Sequence, residues 1–340
     1  MATDNPTSTS QVDLDNVPPM KDLTIDNITD NVHIINSRCP DARLRFLLER
    51  LVVHLHDFTR ETRLSILEWQ AALEFMKQVG QVSSDVRHEF ILLSDVLGLS
   101  LLVDSIDHPK PDGATDGTVL GPFHTHEAEN KAAGESISAD QDGKPLLVVC
   151  TVKDTLGRPV DGVKVDVWET DSKGFYDVQY NNRSGPDGRG VLVSDADGCF
   201  HFKAIVPVPY PIPDDGPVGK LLCKLNRHPY RPSHMHFMFH KPGFSQLITA
   251  LYVRGSKYET SDAVFGVKQS LIVDITKVAD EEGWADKYGV ESSTALLRYD
   301  FVLLTEEESN KLREKKRRET RRKGKGGCEL RMGFWSRSRR

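Results

Sequence analysis

The 340-residue chain holds no uninterrupted apolar run of the roughly 18 residues that a membrane helix needs. Its opening, "MATDNPTSTSQVDLDNVPPM", lacks the basic-then-apolar layout of a secretory leader. Cysteine is scarce: Cys39, Cys150, Cys199, Cys223 and Cys328 make an odd total with no C-x-x-C pair. That speaks for reduced thiols rather than a disulfide framework, and it leads to the expectation of a cytoplasmic protein. There is no glycine-rich phosphate loop, no G-x-S-x-G elbow and no internal repeat.

Charge is unevenly spread. Residues 311–340 carry 14 Lys/Arg against 3 Glu, or +11, so the rest of the chain carries about −17 of the net −6. The basic run, "KLREKKRRETRRKGKGGCELRMGFWSRSRR", shows no clear amphipathic period and reads as disordered. Such runs can bind nucleic acid, but most are solvated appendages, and an acidic body argues against nucleic acid as its main ligand.

What is present divides the chain into four parts. Residues 1–20 read as a disordered N-terminus. From 21 to 106 the spacing is helical, with Leu44, Leu47, Leu48, Leu51, Val52 and Leu55 sharing one face and Ile66, Trp69, Leu73 and Met76 another. The stretch "DVRHEFILLSDVLGLSLLVDSI" reads as a third helix. A region this apolar must pack on the rest of the chain or on a second copy, so a homodimer is expected. From 107 to 305 short β-rich runs alternate with turn signals such as "LGRPVDG" and "SGPDGRG", which predicts a β-sandwich or barrel. Residues 306–340 form the basic tail. The fold class expected is an all-β catalytic body with an α-helical N-terminal region, mixed α and β overall.

Two His-x-His pairs are the first candidates for chemistry. In "RPSHMHFMFH", a strand would put His234, His236, Met238 and His240 on one face and Met235, Phe237 and Phe239 on the other. In "GPFHTHEAE", His124 and His126 stand with Glu127 and Glu129, as in a cupin-like Fe(II) or zinc site. Either pair could instead be strand or loop histidines bonded to backbone and water. Tyr176, in "GFYDVQY", and Tyr210, in "AIVPVPYPIPDDGP", could join His234 and His236 in an N₂O₂ set. Phenolate is a hard donor that ionises near 10 when free, so such a set suits ferric iron.

The motifs "GFYDVQY", "AIVPVPYPIPDDGP" and "RPSHMHF", in that order, resemble those of the intradiol ring-cleavage dioxygenases, and "DVWETDSKGFYDVQY" with "GPFH" is most similar to the hydroxyquinol 1,2-dioxygenase branch. The likeness spans about residues 25–305. It implies a β-sandwich body, dimerisation through the N-terminal helices, and non-haem Fe(III) held by Tyr176, Tyr210, His234 and His236. It implies that Tyr210 takes a proton as the diol binds and that Arg231 is catalytic, stabilising negative charge on the ring. Substrate-pocket positions fall on Leu92, Asp95, Val119, Leu120, Gly121, Pro122, Phe123, Ile212, Pro213, Arg231 and Val264. Asp95 could accept from a third ring hydroxyl, which separates hydroxyquinol from catechol. Ala250 stands where many catechol-type members have Gln. The activity implied is opening of hydroxyquinol by O₂ to a maleylacetate-level product, with cleavage of catechol to cis,cis-muconate as the alternative. The partners implied are a small aromatic diol or triol and O₂.

Overall fold

The structure, a computed structural model, describes residues 19–20, 22–84, 87–182 and 185–335, with side chains described as far as residue 320. Most of the N-terminal segment expected to be disordered lies outside the described residues. The chain forms two compact units, residues 1–77 and 78–340.

The first unit is helical: α1 (Ile28–Asn36), α2 (Ala42–Thr62) and most of α3 (Ile66–Val82). Helix α2 starts where Asp41 accepts from the amides of Arg43 and Leu44, satisfying orphan N–H groups, and ends at Arg63 in the left-handed region (φ 49°). Leu44, Leu47, Leu51 and Leu55 share one face at helical spacing and are all about half exposed.

In the second unit the stretch expected as one helix is two, α4 (Glu89–Val96) and α5 (Leu99–Asp107). Gly98 breaks it at φ 71°, a conformation open to glycine without strain. Helices α4 and α5 fall in the second unit, where Glu89 accepts from the amide of Val218 at 3.1 Å and Arg227 donates to the Val96 carbonyl at 2.8 Å.

Strands β1 (Pro145–Asp154), β2 (Lys164–Trp168), β3 (Arg189–Val193), β4 (Cys199–Ile205), β5 (Tyr210–Pro211), β6 (Tyr230–Arg231), β7 (His234–His240), β8 (Leu247–Val253), β9 (Ile272–Val273), β10 (Thr276–Lys277) and β11 (Ala295–Leu303) follow, with α6 (Pro217–Lys224) and α7 (Trp284–Tyr288) among them. They form one sheet ordered β10-β11-β1-β4, a second ordered β3-β2-β7-β8-β9, and a short β5-β6 pair. Alternate residues of both larger sheets point into a common apolar core: Leu146, Val148 and Phe301 from the first, Val165, Val167, Met235, Phe237 and Phe239 from the second. The opposite face of the second sheet is thereby left to His234, His236, Trp168 and Ala250, and this is where the site lies.

Helix α8 (Glu306–Trp335) corrects the expectation of a tail without regular structure. A capping box starts it: Glu308 accepts from the Thr305 amide at 2.8 Å, and Thr305 Oγ1 accepts from the Glu308 amide at 3.2 Å. Ser309 is buried, and Leu312 lines a cavity of about 620 Å³ with Val302 and Leu304, so the first turns lean on the sheets.

Candidate metal centre

Three short segments carry the four candidate ligands. After β2 a turn closes on Asp171, which accepts from the amides of Lys173 and Phe175, each at 2.9 Å. Tyr176 follows and heads a short 3₁₀ turn, Asp177–Gln179, whose Gln179 accepts from the Tyr176 amide at 2.8 Å. Tyr210 opens β5 and pairs in register with Arg231 of β6, which sets phenol and guanidinium side by side. His234 and His236 lie two apart on β7 and share a face, as the alternation predicts. Gly174 (φ 84°) allows the approach of the tyrosine segments: a Cβ there would stand 3.0 Å from the Tyr210 Cβ.

The four side chains meet. Tyr176 Oη lies 3.2 Å from Tyr210 Oη, Tyr210 Oη 3.5 Å from His234 Nε2, and His234 Nε2 3.1 Å from His236 Nε2. All four residues are buried. His234 Nδ1 is 2.6 Å from the Pro232 carbonyl and must donate to it, so its Nε2 presents a lone pair to the cluster. Burial, then the charge of Arg231, drives His234 well below the usual imidazole range. Burial, then His234, does the same to His236. Both imidazoles are therefore neutral donors. Burial, then the Tyr210 phenol, pushes Tyr176 well above its ordinary value, so the protein alone holds it un-ionised.

These residues fit a multivalent cation. Ligand atoms about 2.0–2.2 Å from one ion lie about 3 Å from each other, which is the spacing here. His234 Nε2, its lone pair freed by the Nδ1 bond to Pro232, lies 3.1 Å from His236 Nε2, and His236 Nδ1 is a buried atom with no hydrogen-bond partner among the described residues. A trivalent ion would also supply the charge that ionises the phenols. Among the described residues no three His, Cys, Asp or Glu side chains stand together as a metal-binding group, so a centre assembled here must draw on tyrosine. The second His-x-His does not converge: His124 bonds Asp166 at 2.9 Å, while His126, Glu127 and Glu129 are exposed.

Arg231 is 2 % exposed. Burial alone would lower its pKa, but Asp262 together with the Tyr252 and Tyr210 phenols more than offsets this and the guanidinium stays charged. Its Nη1 is 3.0 Å from His234 Nε2. Of the expected pocket positions, Gly121 lies over His236, since a Cβ there would be 3.9 Å from the ring, and Phe123 stacks on Tyr176 at 4.6 Å. Leu92, Asp95, Val119, Ile212 and Val264 are buried, whereas Gly121, Pro122 and Pro213 are part-buried and Leu120 is exposed. Asp95 feels the charge of Arg231, but burial dominates and raises its pKa. Ile212 and Val264 flank the strands that carry Tyr210 and Arg231, the latter through the Asp262–Val264 turn.

Several site residues were not anticipated. Trp168 stands opposite His236 in the β2–β7 pairing and stacks on it at 4.8 Å with planes 2° apart. Ala250, already singled out in the sequence, is the partner of His236 across β8, a small residue beside the imidazole. Tyr252 pairs with His234, and burial pushes its phenol up to about 12. Asp262 holds Arg231, and Arg189 ties Asp177 to the Phe123 carbonyl. The period-2 pattern of "VDVWET" and "LITALYV" could have pointed to Trp168 and Tyr252; no local signal marks Asp262.

The family model described as "Dioxygenase" matches residues 119–305, and that described as "Catechol dioxygenase N terminus" matches residues 41–115. The chain is 67% identical over 303 residues to the intradiol ring-cleavage dioxygenase hqdA of Aspergillus niger, covering 89% of this chain and 92% of that protein. It is 45% identical over 246 residues to a hydroxyquinol 1,2-dioxygenase of Rhizobium sp., covering 72% of this chain and 83% of the other. Among solved structures, hydroxyquinol 1,2-dioxygenase from Pseudomonas putida DLL-E4 is similar with a TM-score of 0.77 and 41% identity, over 83% of this chain and 99% of that one.

Proposed function

The chain belongs to the intradiol ring-cleavage dioxygenases, and from that premise we propose that it opens hydroxyquinol between adjacent hydroxyls with O₂, giving a maleylacetate-level product. The two facing sheets are then the β-sandwich catalytic body, and the half-exposed leucines of α2 form the surface through which two copies pair. No helix of the described residues is long and apolar enough to cross a membrane.

One observation carries the reading: two phenols and two neutral imidazoles face one another at 3.1 to 3.5 Å in a buried cluster with a charged guanidinium beside it. Tyr176, Tyr210, His234 and His236 would hold Fe(III). When bound, ferric iron supplies a Lewis acid that a dianionic diol can chelate. The diol must lose two protons to bind so, and Tyr210, ionised by the bound cation, would be placed to accept one at its phenolate oxygen. Arg231, fixed and away from water, lowers the energy of the ring as negative charge builds on it; losing one such group typically costs about 10²–10³ in rate. Gly121 lets the loop lie close over His236, and Phe123, Val119, Ile212 and Val264 offer an apolar wall to the ring. Asp95, buried and within the field of Arg231, is the candidate acceptor for the third hydroxyl. That favours hydroxyquinol over catechol, as do relatives of that name at 45% identity.

The test is to load the protein with iron and compare the two diols. Two phenolates on Fe(III) should colour it wine-red, and kcat/KM should be higher for hydroxyquinol. Tyr210→Phe should shift the band and slow turnover. A colourless active protein, or a variant with unchanged band and rate, would remove Tyr210 from the centre.

A further inference from the structure

We propose that Asp262 is a positioning residue for ring cleavage, the hub of a closed hydrogen-bonded ring that aims Arg231 and joins it to two walls of the pocket. This rests on the reading of Arg231 given above. The Asp262 carboxylate, 6 % exposed, accepts from Arg231 Nε at 3.1 Å and Nη2 at 3.3 Å, from the Gly266 amide at 2.9 Å and from the Val264 amide at 3.3 Å. A carboxylate offers about four lone-pair sites, so it is fully engaged. The other Nη2 hydrogen goes to Tyr252 Oη at 3.0 Å. Tyr252 Oη lies 3.5 Å from Thr118 Oγ1, which donates to the Gly266 carbonyl at 2.7 Å and so closes the ring. With Nε and Nη2 spent, Nη1 alone is turned toward His234 and the site.

The ring is a built feature. A Cβ on Gly266 would stand 2.6 Å from Tyr252 Oη and 2.8 Å from Arg231 Nη2, so it closes only with glycine there. Its members also carry the pocket: Thr118 precedes Val119, Asp262 and Gly266 bracket Val264, and Tyr252 stands opposite His234 in the β7–β8 pairing. A shift of Asp262 would therefore move the guanidinium and the Val264 wall together.

Charge and position predict opposite signs for its removal. Asp262 offsets much of the positive field of Arg231, so by charge alone Asp262→Asn would strengthen the pull on an anionic ring. Positioning predicts loss, because a misplacement of about 1 Å can cost about 10²-fold. The iron-loaded protein is assayed by O₂ uptake with the better of the two diols. Asp262→Asn should lower kcat about 10²-fold while KM moves less than about threefold. Its visible band and iron content should match those of the parent. Asp262→Glu should recover part of the loss. In an Arg231→Gln background the cost of Asp262→Asn should vanish, since the residue acts through the guanidinium. Tyr252→Phe, which removes one hydroxyl, should cost about tenfold in kcat and also lose its effect in that background; it decides alone if Asp262→Asn does not fold. Unchanged or raised kcat in Asp262→Asn, or losses that multiply with Arg231→Gln, would overturn the proposal. Full kcat in Arg231→Gln alone would instead overturn the reading of Arg231, and with it the role of Asp262.

Discussion

Arg189→Met should destabilise the second unit and loosen the centre together. The side chains of Arg189 and Asp177 are 1% and 3% exposed. Arg189 Nε donates to Asp177 Oδ2 at 2.9 Å, and Nη2 completes a second arm to Oδ1. Nη1 donates to the Phe123 carbonyl and to Thr125 Oγ1, each at 3.2 Å. Removing the guanidinium takes both arms of this pair from the buried carboxylate, which still accepts from the Val178 and Asp187 amides at 2.8 and 3.2 Å. Breaking a buried pair from one side costs about 3–5 kcal/mol. For a unit of this size that is a fall in Tm of about 6–20 °C. The loss reaches the site because Asp177 follows Tyr176 and Phe123 stacks on it; the variant should release iron more readily to a chelator. Urea unfolding followed by near-ultraviolet ellipticity measures the first effect, and the visible band the second. Arg189→Met combined with Asp177→Leu should recover part of the stability, since it removes the buried carboxylate together with the guanidinium. A single-variant change below about 1 kcal/mol would show that the pair is not the clamp its burial implies.

Glu169 offers a pH-dependent companion. It is 1% exposed, one oxygen accepts from the Ile205 amide at 3.2 Å, and the other has no partner among the described residues. Burial pushes its pKa well above the carboxylate range, so the fold binds a proton that the unfolded chain releases above about 4.3. Stability should thus fall as pH rises from there, and Glu169→Gln should stabilise the protein at neutral pH and flatten that slope; equal melting curves at pH 7 would refute the assignment. At the other end of the chain, Glu308→Ala removes one arm of the capping box and the contact with Thr155 at 2.5 Å. It should cost about 1 kcal/mol in urea unfolding with kcat unaltered, and a loss of activity would mean that α8 acts on the site.

Much of the site was legible because it is written in local patterns. The alternation in "HMHFMFH" put two imidazoles on one face, and the pairing of β7 with β2 and β8 bears out that alternation. The helical spacing from Leu44 to Leu55 matched α2. Less visible were features that depend on a single residue's backbone or on distant partners. Gly98 split one expected helix in two through its positive φ. Thr305 and Glu308 nucleate a helix in a run whose charge concealed it.

The chain's own order of residues determined the donor types, the faces they occupy and the strands that carry them, since these follow from side-chain chemistry and the two-residue period. Only the tertiary structure decided that Tyr176 and Tyr210 meet at 3.2 Å, that Asp262 holds Arg231 and that Arg189 ties Asp177 to Phe123. Those contacts join residues 12 to 66 positions apart. Their cost in chain entropy is offset only when the whole core closes, so no local window of sequence encodes them.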